Sequence, residues 1–212
     1  MADNYLGKKM EEHKNRSFAP AVVRRRETLM SLLAKNRSCR GYDASFIVRD
    51  DQLRSIIEVN TKTASARNAQ VLRFRPVNHL EAAKILPHIR LGGALPALNL
   101  PLPGTEPNAF VVVCSTVEAS RFVYTDIGIS AQSMLLRATE MGLAGVCIGA
   151  FDAEAVKREL SLELTPLLIL AIGRSCEDIR LVDAAEGESL KYYRENGVHF
   201  VPKLTLDDLI LE

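Results

Sequence analysis

Apolar positions recur at helical spacing over residues 19–35, APAVVRRRETLMSLLAK, where Val22, Val23, Leu29, Leu32 and Leu33 share a face. That pattern predicts a helix from about Pro20 to the residue before Asn36. Arg24, Arg25 and Arg26 fall between the apolar positions and read as a solvated face. VRDDQLRSIIEVNTKT predicts a second helix, capped by Asp50 or Asp51, with Leu53, Ile56 and Ile57 turned inward. RFRPV reads as a short strand, and its Pro76 argues against a central place because proline gives a ladder no donor. Residues 80–90 predict a brief helix.

The second half is more regular. FVVVC (110–114) predicts a buried strand. YTDIGISAQSMLLRATEMGLAG predicts a long helix, capped by Thr125 or Asp126 and stopped by Gly142, with Ile127, Ala131, Met134, Leu135 and Ala138 on its inner face. Its small residues Gly128, Ser130, Ala131 and Ser133 leave room for another helix or for a flat ligand. GVCIGAF predicts a strand running into a turn, DAEAVKREL a helix capped by Asp152, and PLLILAIGR a buried strand. The tail LKYYRENGVHFVPKLTLDDLILE is mixed, and its apolar end suits burial against a partner subunit. Residues 91–108, LGGALPALNLPLPGTEPN, hold four prolines and three glycines, too many for regular structure. Their Leu and Ala content argues for an ordered excursion rather than a linker. Intermingled strands and helices predict an α+β or α/β chain with one main sheet.

Composition removes several classes. The net charge of +1 gives no global field for nucleic acid or an anionic membrane. Basic residues do crowd the first forty positions, against only Asp3, Glu11, Glu12 and Glu27, so a nucleic-acid-binding N-terminal helix is a minor alternative. Cys39, Cys114, Cys147 and Cys176 form no C-x-x-C pair, which suits reduced thiols in a cytoplasmic protein. No apolar run reaches the ~18 residues of a membrane span, and no metal-binding histidine pattern occurs. Neither G-x-S-x-G nor a Walker sequence is present. Gly142, Gly145 and Gly149 follow a helix instead of opening one, so they do not make a dinucleotide fingerprint. Cys147 has no supporting histidine nearby in sequence and reads as a small buried thiol. An enzyme of this composition would rely on a bound cofactor.

Four segments, in order over about residues 22–210, resemble the nitroreductase superfamily of FMN-dependent NAD(P)H oxidoreductases. NRSCRGYD is similar to the family's R-R-S-x-R-x-F/Y, and TASARNAQVLRF to P-S-x-x-N-x-Q-P-W-x-F. DIGISAQSMLLRATEMGLAGVCIGAF is similar to the family's central D-x-G-x-x-x-Q to I-G-x-F run, and LLILAIGR precedes a basic residue, Lys203. The resemblance implies an α+β three-layer sandwich with a central mixed sheet flanked by helices. It also implies a homodimer with FMN at the interface. Residues 19–212 would form one domain behind a flexible extension, 1–18.

Carried over residue by residue, the resemblance assigns Arg37 and Ser38 to the FMN phosphate and ribityl end. Arg40 is assigned to the pyrimidine edge, where a cation stabilises charge developing on reduction. Ser65 and Asn68 would serve the FMN of the other chain, with Gln70 shaping their turn. Ile148 and Gly149 would line the ring, and Lys203 would add a second phosphate cation, with Arg174 a weaker candidate. Asn36 stands where the family has its first Arg, Ala64 replaces the proline of P-S, and Val71 and Leu72 replace Pro-Trp. The implied activity is ping-pong electron transfer from NADH or NADPH to a small acceptor such as a nitroaromatic or quinone. A flavin-binding sensor or partner-binding module on the same fold is the alternative.

Overall fold

The computed structural model describes residues 27–91, 93 and 99–211. Its main sheet has four strands: β1 (Leu72–Val77), β2 (Ala109–Ser115), β3 (Ala144–Ile148) and β4 (Pro166–Gly173), in the order β1-β2-β4-β3. Every ladder in it is antiparallel, for example Val111 opposite Leu170 and Val146 opposite Ala171. The mixed character expected from the resemblance is confined to one edge, where Ser38 makes an isolated parallel bridge to Gly145. β1, which carries Pro76, is indeed an edge strand.

Side-chain alternation along β2 builds two cores. Phe110, Val112 and Cys114 pack on one face with Ile85, Ile169, Val156 and Leu160. Ala109, Val111 and Val113 pack on the other with Leu53, Ile56, Ile127 and Met134. Burying Phe110 completely contributes on the order of 2–3 kcal/mol. The first core is covered by α4 (Ala153–Glu159) and two short 3-10 turns, Ala82–Lys84 and Leu86–His88. The second is covered by α2 (Asp50–Glu58) and the long α3 (Arg121–Glu140). The chain is therefore α+β, with helices against both faces of the sheet.

Capping chemistry moved several helix starts. Thr28 is extended and its hydroxyl accepts from Ser31 N, so α1 runs Leu29–Lys35, and the start expected near Pro20 lies outside the described residues. Val22, Val23 and Arg24 to Arg26, like the 1–18 extension, lie outside the described residues. Arg49, not Asp50 or Asp51, is the N-cap of α2; the two acids fill its first turn, where they complement the helix dipole. Ser120 caps α3 one turn before Thr125, and Gly142 follows its end at φ +75° as expected. Asp152 does cap α4, accepting from Ala155 N at 2.9 Å. The predicted helix over 80–90 is only the two 3-10 turns.

The tail forms a second, three-stranded sheet that its sequence did not announce. β5 (Asp178–Ala184) pairs in parallel with β7 (Val198–Leu204), and β6 (Tyr193–Glu195) pairs antiparallel with β7. Cys176 N donates to Gly41 O at 3.1 Å and Arg40 N to Glu177 Oε2 at 2.6 Å, tying this sheet to the segment after α1. The described parts of the 91–108 excursion make no strand or helix. Leu91 and Leu100 are buried in the first core, so the apolar content of the excursion does have a place to go. Residues 92 and 94–98 lie outside the described residues.

Candidate functional site

Four of the nine residues singled out by sequence meet in one cleft of about 290 Å3: Arg37, Ser38, Arg40 and Lys203. The fold explains the meeting. α1 ends at Lys35 and delivers Asn36 and Arg37; the next residues run beside β3, so Ser38 faces Gly145 and Arg40 lies near Cys147. On β7, His199, Val201 and Lys203 alternate with period two and reach the same cleft. Gln132 and Leu135 of α3 close the side. Among the described residues, no carboxylate lines this cleft.

The cations differ in how they are held. Arg37 Nη2 donates to Leu33 O at 2.5 Å, which clamps the side chain against α1. Its Nε is buried without a hydrogen-bond partner among the described residues, and burial lowers the guanidinium from its ordinary value. An anion within reach would relieve that cost. Arg40 is more occupied: Nε donates to Leu91 O at 3.0 Å, Nη1 to Ser38 O at 3.3 Å, and the guanidinium lies 5.0 Å from the Tyr192 ring centroid. Lys203 is exposed and makes no ion pair among the described residues. Arg174, the weaker candidate, sits elsewhere, over the Phe46 ring and 3.5 Å from Asp43.

Ser65, Asn68 and Gln70 belong to a different place. They share one tight loop, in which Gln70 N donates to Ser65 Oγ at 3.2 Å and Gln70 Nε2 to Asn68 Oδ1 at 3.2 Å. Arg67, Asn68 and Gln70 all have positive φ, a strained backbone that Asp126 helps to hold. Asp126 is buried, and its Oδ1 accepts from Ala66 N at 2.8 Å. Ser65 and Gln70 line a larger cleft of about 890 Å3 together with Asp126 and Ser130. Asn68, in the same loop, is exposed and does not line the cleft. Asp126 and Ser130 lie on one side of α3, whereas Gln132 and Leu135 lie on the opposite side. The two clefts share no lining residue among the described residues.

Ile148 and Gly149 meet neither set directly. The Ile148 side chain is 2% exposed and belongs to the first core, so only its backbone could face a ligand. Gly149 is exposed, and a Cβ built on it would touch nothing within 4 Å. Its lack of a side chain serves no packing among the described residues. Gly145 is the opposite case: a Cβ there would come within 2.6 Å of Ala171 O and of Leu135 Cδ2.

The structure adds residues that sequence reading passed over. Cys147, expected to be buried, is an exposed thiol in the cationic cleft, because its strand edge faces out beside Arg40; partial burial still raises its pKa. His199 lines the same cleft; it is 3% exposed, and its Nδ1 has no hydrogen-bond partner among the described residues. Burial, then Arg194, lowers its pKa, with Glu177 opposing and Arg40 adding to the lowering. The alternation of VHFVPKL is the signal that would have placed His199 beside Lys203. No cluster of metal-ligating residues occurs among the described residues.

The phosphate-bearing end of FMN fits this chemistry. Arg37 carries a buried donor with no partner among the described residues, Lys203 makes no ion pair among them, and no described carboxylate lines the cleft. At about 290 Å3 this cleft is at the lower limit of the ~300–1,000 Å3 usual for a small-molecule site.

Fold and cleft together give an α+β sandwich with a cationic cleft at its sheet edge. Residues 96–174 match the model of the Nitroreductase family. The proposed nitroreductase MJ1384 of Methanocaldococcus jannaschii is 37% identical over 57 residues, which is 27% of this chain and 29% of that protein. Among solved structures, a nitroreductase family protein from Streptococcus pneumoniae superposes with a TM-score of 0.62 at 15% identity, covering 87% of this chain and 100% of that one. A nitroreductase from Exiguobacterium sibiricum, in complex with FMN, gives 0.59 at 17% identity, with 71% and 90% covered. A mutant form of NfnB, the FMN- and NADPH-dependent nitroreductase from Sphigopyxis sp. strain HMH, gives 0.58 at 19%, with 71% and 89% covered. At such identities these likenesses concern the fold. Residues 96–174 thus resemble the nitroreductase family, and the fold is shared with its solved members.

Proposed function

We propose that this chain is an FMN-dependent NAD(P)H oxidoreductase that works as a homodimer, with residues 19–212 as one domain. The observation that carries the proposal is the separation of its two residue sets. Arg37, Ser38 and Lys203 face a carboxylate-free cleft on one side of α3, and the Ser65–Gln70 loop lies on the other. One ligand can be touched by both sets only if a second copy brings its loop to the first copy's cleft. Gly128 supports such an approach: it costs a helix interior ~0.5–1 kcal/mol, and a Cβ on it would meet nothing within 4 Å among the described residues.

Bound FMN would supply hydride acceptance from NAD(P)H and electron delivery to a small acceptor, such as a nitroaromatic or quinone, in a ping-pong sequence. The chain's own residues do the rest. Arg37 and Lys203 neutralise the phosphate through charge-assisted hydrogen bonds. Arg40 places positive charge beside the pyrimidine edge. The Ser65–Gln70 loop, fixed by Asp126, orients the ring from the partner side. Backbone at Ile148 and Gly149 approaches the ring where no side chain intervenes.

The purified chain, supplied with FMN, is expected to be yellow and dimeric and to bleach when NADH or NADPH is added without oxygen. A colourless monomer after reconstitution rejects the proposal. A yellow dimer that neither nucleotide bleaches favours the sensor or partner-binding alternative.

A further inference from the structure

Beside the Ser65–Gln70 loop lies a cluster that the proposed cofactor site does not use. Phe122, in the first turn of α3, is 47% exposed. The Arg121 guanidinium lies 4.8 Å from its ring centroid, and that of Arg67 lies 5.9 Å away. Neither arginine makes an ion pair or a side-chain hydrogen bond among the described residues. Some surface arginines of the chain are neutralised, while Arg54, Arg73, Arg90 and Arg158, like these two, make no ion pair among the described residues. Arg49, Arg75, Arg137 and Arg180 each hold a carboxylate at 2.6–2.8 Å. Two unneutralised guanidinium groups around one half-exposed ring repel each other, and a dianion between them would convert that repulsion into attraction.

We infer that Arg67, Phe122 and Arg121 form a subsite for the 2′-phosphoadenosine end of NADPH. The inference rests on the oxidoreductase reading above and deepens it by naming the reductant. A purine can stack on the phenyl ring or on a guanidinium plane, and the 2′-phosphate beside it matches the two cations in charge. NADH has the same base without that dianion, so it gains only the stacking. Position agrees: Arg67 lies between Ser65 and Asn68, the loop proposed to face the ring at which the nicotinamide must react. A reductant reaching that ring passes this loop, and its adenosine end needs a place to rest. Asp126, the buried acid of α3, is turned to Ala66 N rather than to either guanidinium.

The test has two readouts. In the FMN-loaded dimer, kcat/KM is expected to favour NADPH over NADH by at least about tenfold, the scale of a charge-assisted phosphate contact. Arg121→Gln should remove most of that preference by raising KM for NADPH, with NADH kinetics unchanged, and Arg67→Gln should lower the NADPH-to-NADH ratio of kcat/KM. Equal use of both nucleotides by the native dimer overturns the inference. So does a parallel loss with both in the variants, or dissociation of the Arg121→Gln dimer, which would assign the arginines to a contact between chains. Separately, adenosine 2′,5′-bisphosphate is titrated calorimetrically into the native chain, with 5′-AMP and inorganic phosphate as controls. Binding of the bisphosphate at least about tenfold tighter than either control, and lost in Phe122→Ala, supports the subsite. Equal binding of inorganic phosphate reduces it to a bare cationic patch and overturns it. This second readout needs neither FMN nor turnover, so a failed oxidoreductase assay and a failed subsite are told apart.

Discussion

The two clefts on either side of α3 differ in what their own chain asks of them. The smaller is rigid and one-signed: Arg37 is clamped to Leu33 O, Arg40 to Leu91 O, and no described acid lines it. The larger is wide and mixed, with Asp51, Glu58, Arg54 and Arg73 on its walls and a strained loop at its edge. A one-signed pocket is costly to leave empty, because like charges crowd where burial weakens screening. A mixed one is not. The smaller cleft thus suits an anion, and the larger suits an approaching surface.

The largest expected effect tests the one-signed cleft. Removing Arg37 and Lys203 together by alanine substitution should weaken FMN binding at least about a hundredfold, since each charged contact is worth roughly 1.5–3 kcal/mol. Equilibrium dialysis followed by the flavin spectrum measures it, and full retention of flavin would empty the cleft of its role. The division of labour between chains is checked by mixing. Arg37→Ala chains combined and refolded with Asn68→Ala chains should regain about a quarter of the native sites, because a mixed dimer has one site free of both substitutions. If both sets act on the same chain's ligand, no site is regained.

A smaller loss, about tenfold in FMN affinity, is expected for Asp126→Ala. It leaves Ala66 N–H without its acceptor, a penalty of roughly 1–3 kcal/mol, and frees the loop. Thermal unfolding alongside the titration separates loop release from general damage. Arg40→Ala should keep most of the flavin yet lower its midpoint potential and slow its reduction several-fold. An unchanged potential would mean that Arg40 only ties Leu91 and Ser38 in place.

The smallest effect concerns pH. His199 has its pKa lowered in the fold, first by burial and then by Arg194. As pH falls through its ordinary value near 6.5, the unfolded chain takes the proton first. Stability is therefore complete above that value and is lost towards the lower folded one. The melting midpoint should drop as the pH falls below about 6.5. His199→Phe should flatten that drop; an equally steep profile in the variant would place the proton elsewhere.

Much of this was legible before the fold was known, for local reasons. Continuous apolar runs marked β2 and β4, Pro76 marked an edge, and Asp152 marked a helix start, because each signal acts within a few residues. Helix starts at Thr28 and Ser120 were missed where apolar periodicity outweighed a nearby hydroxyl cap. Arg37, Ser38, Arg40 and Lys203 could be chosen as a group by motif, but that Lys203 shares a cleft with Arg37 depends on the pairing of β7 with β5. Cys147 was misread because burial of a strand residue depends on which neighbour covers it. His199 was missed because the tail's alternation was read only as a mixed segment.

Periodicities, caps and the placement of charge are properties of neighbouring positions, so the chain carries them before it folds. Packing had to decide that two motifs would stand on opposite sides of one helix. Packing also decided that Gly145 would be filled by Ala171 and Leu135 while Gly128 and Gly149 would face open space. Separation along the chain explains the division: such contacts join residues tens of positions apart, and their geometry exists only once the sheet has set its strand order.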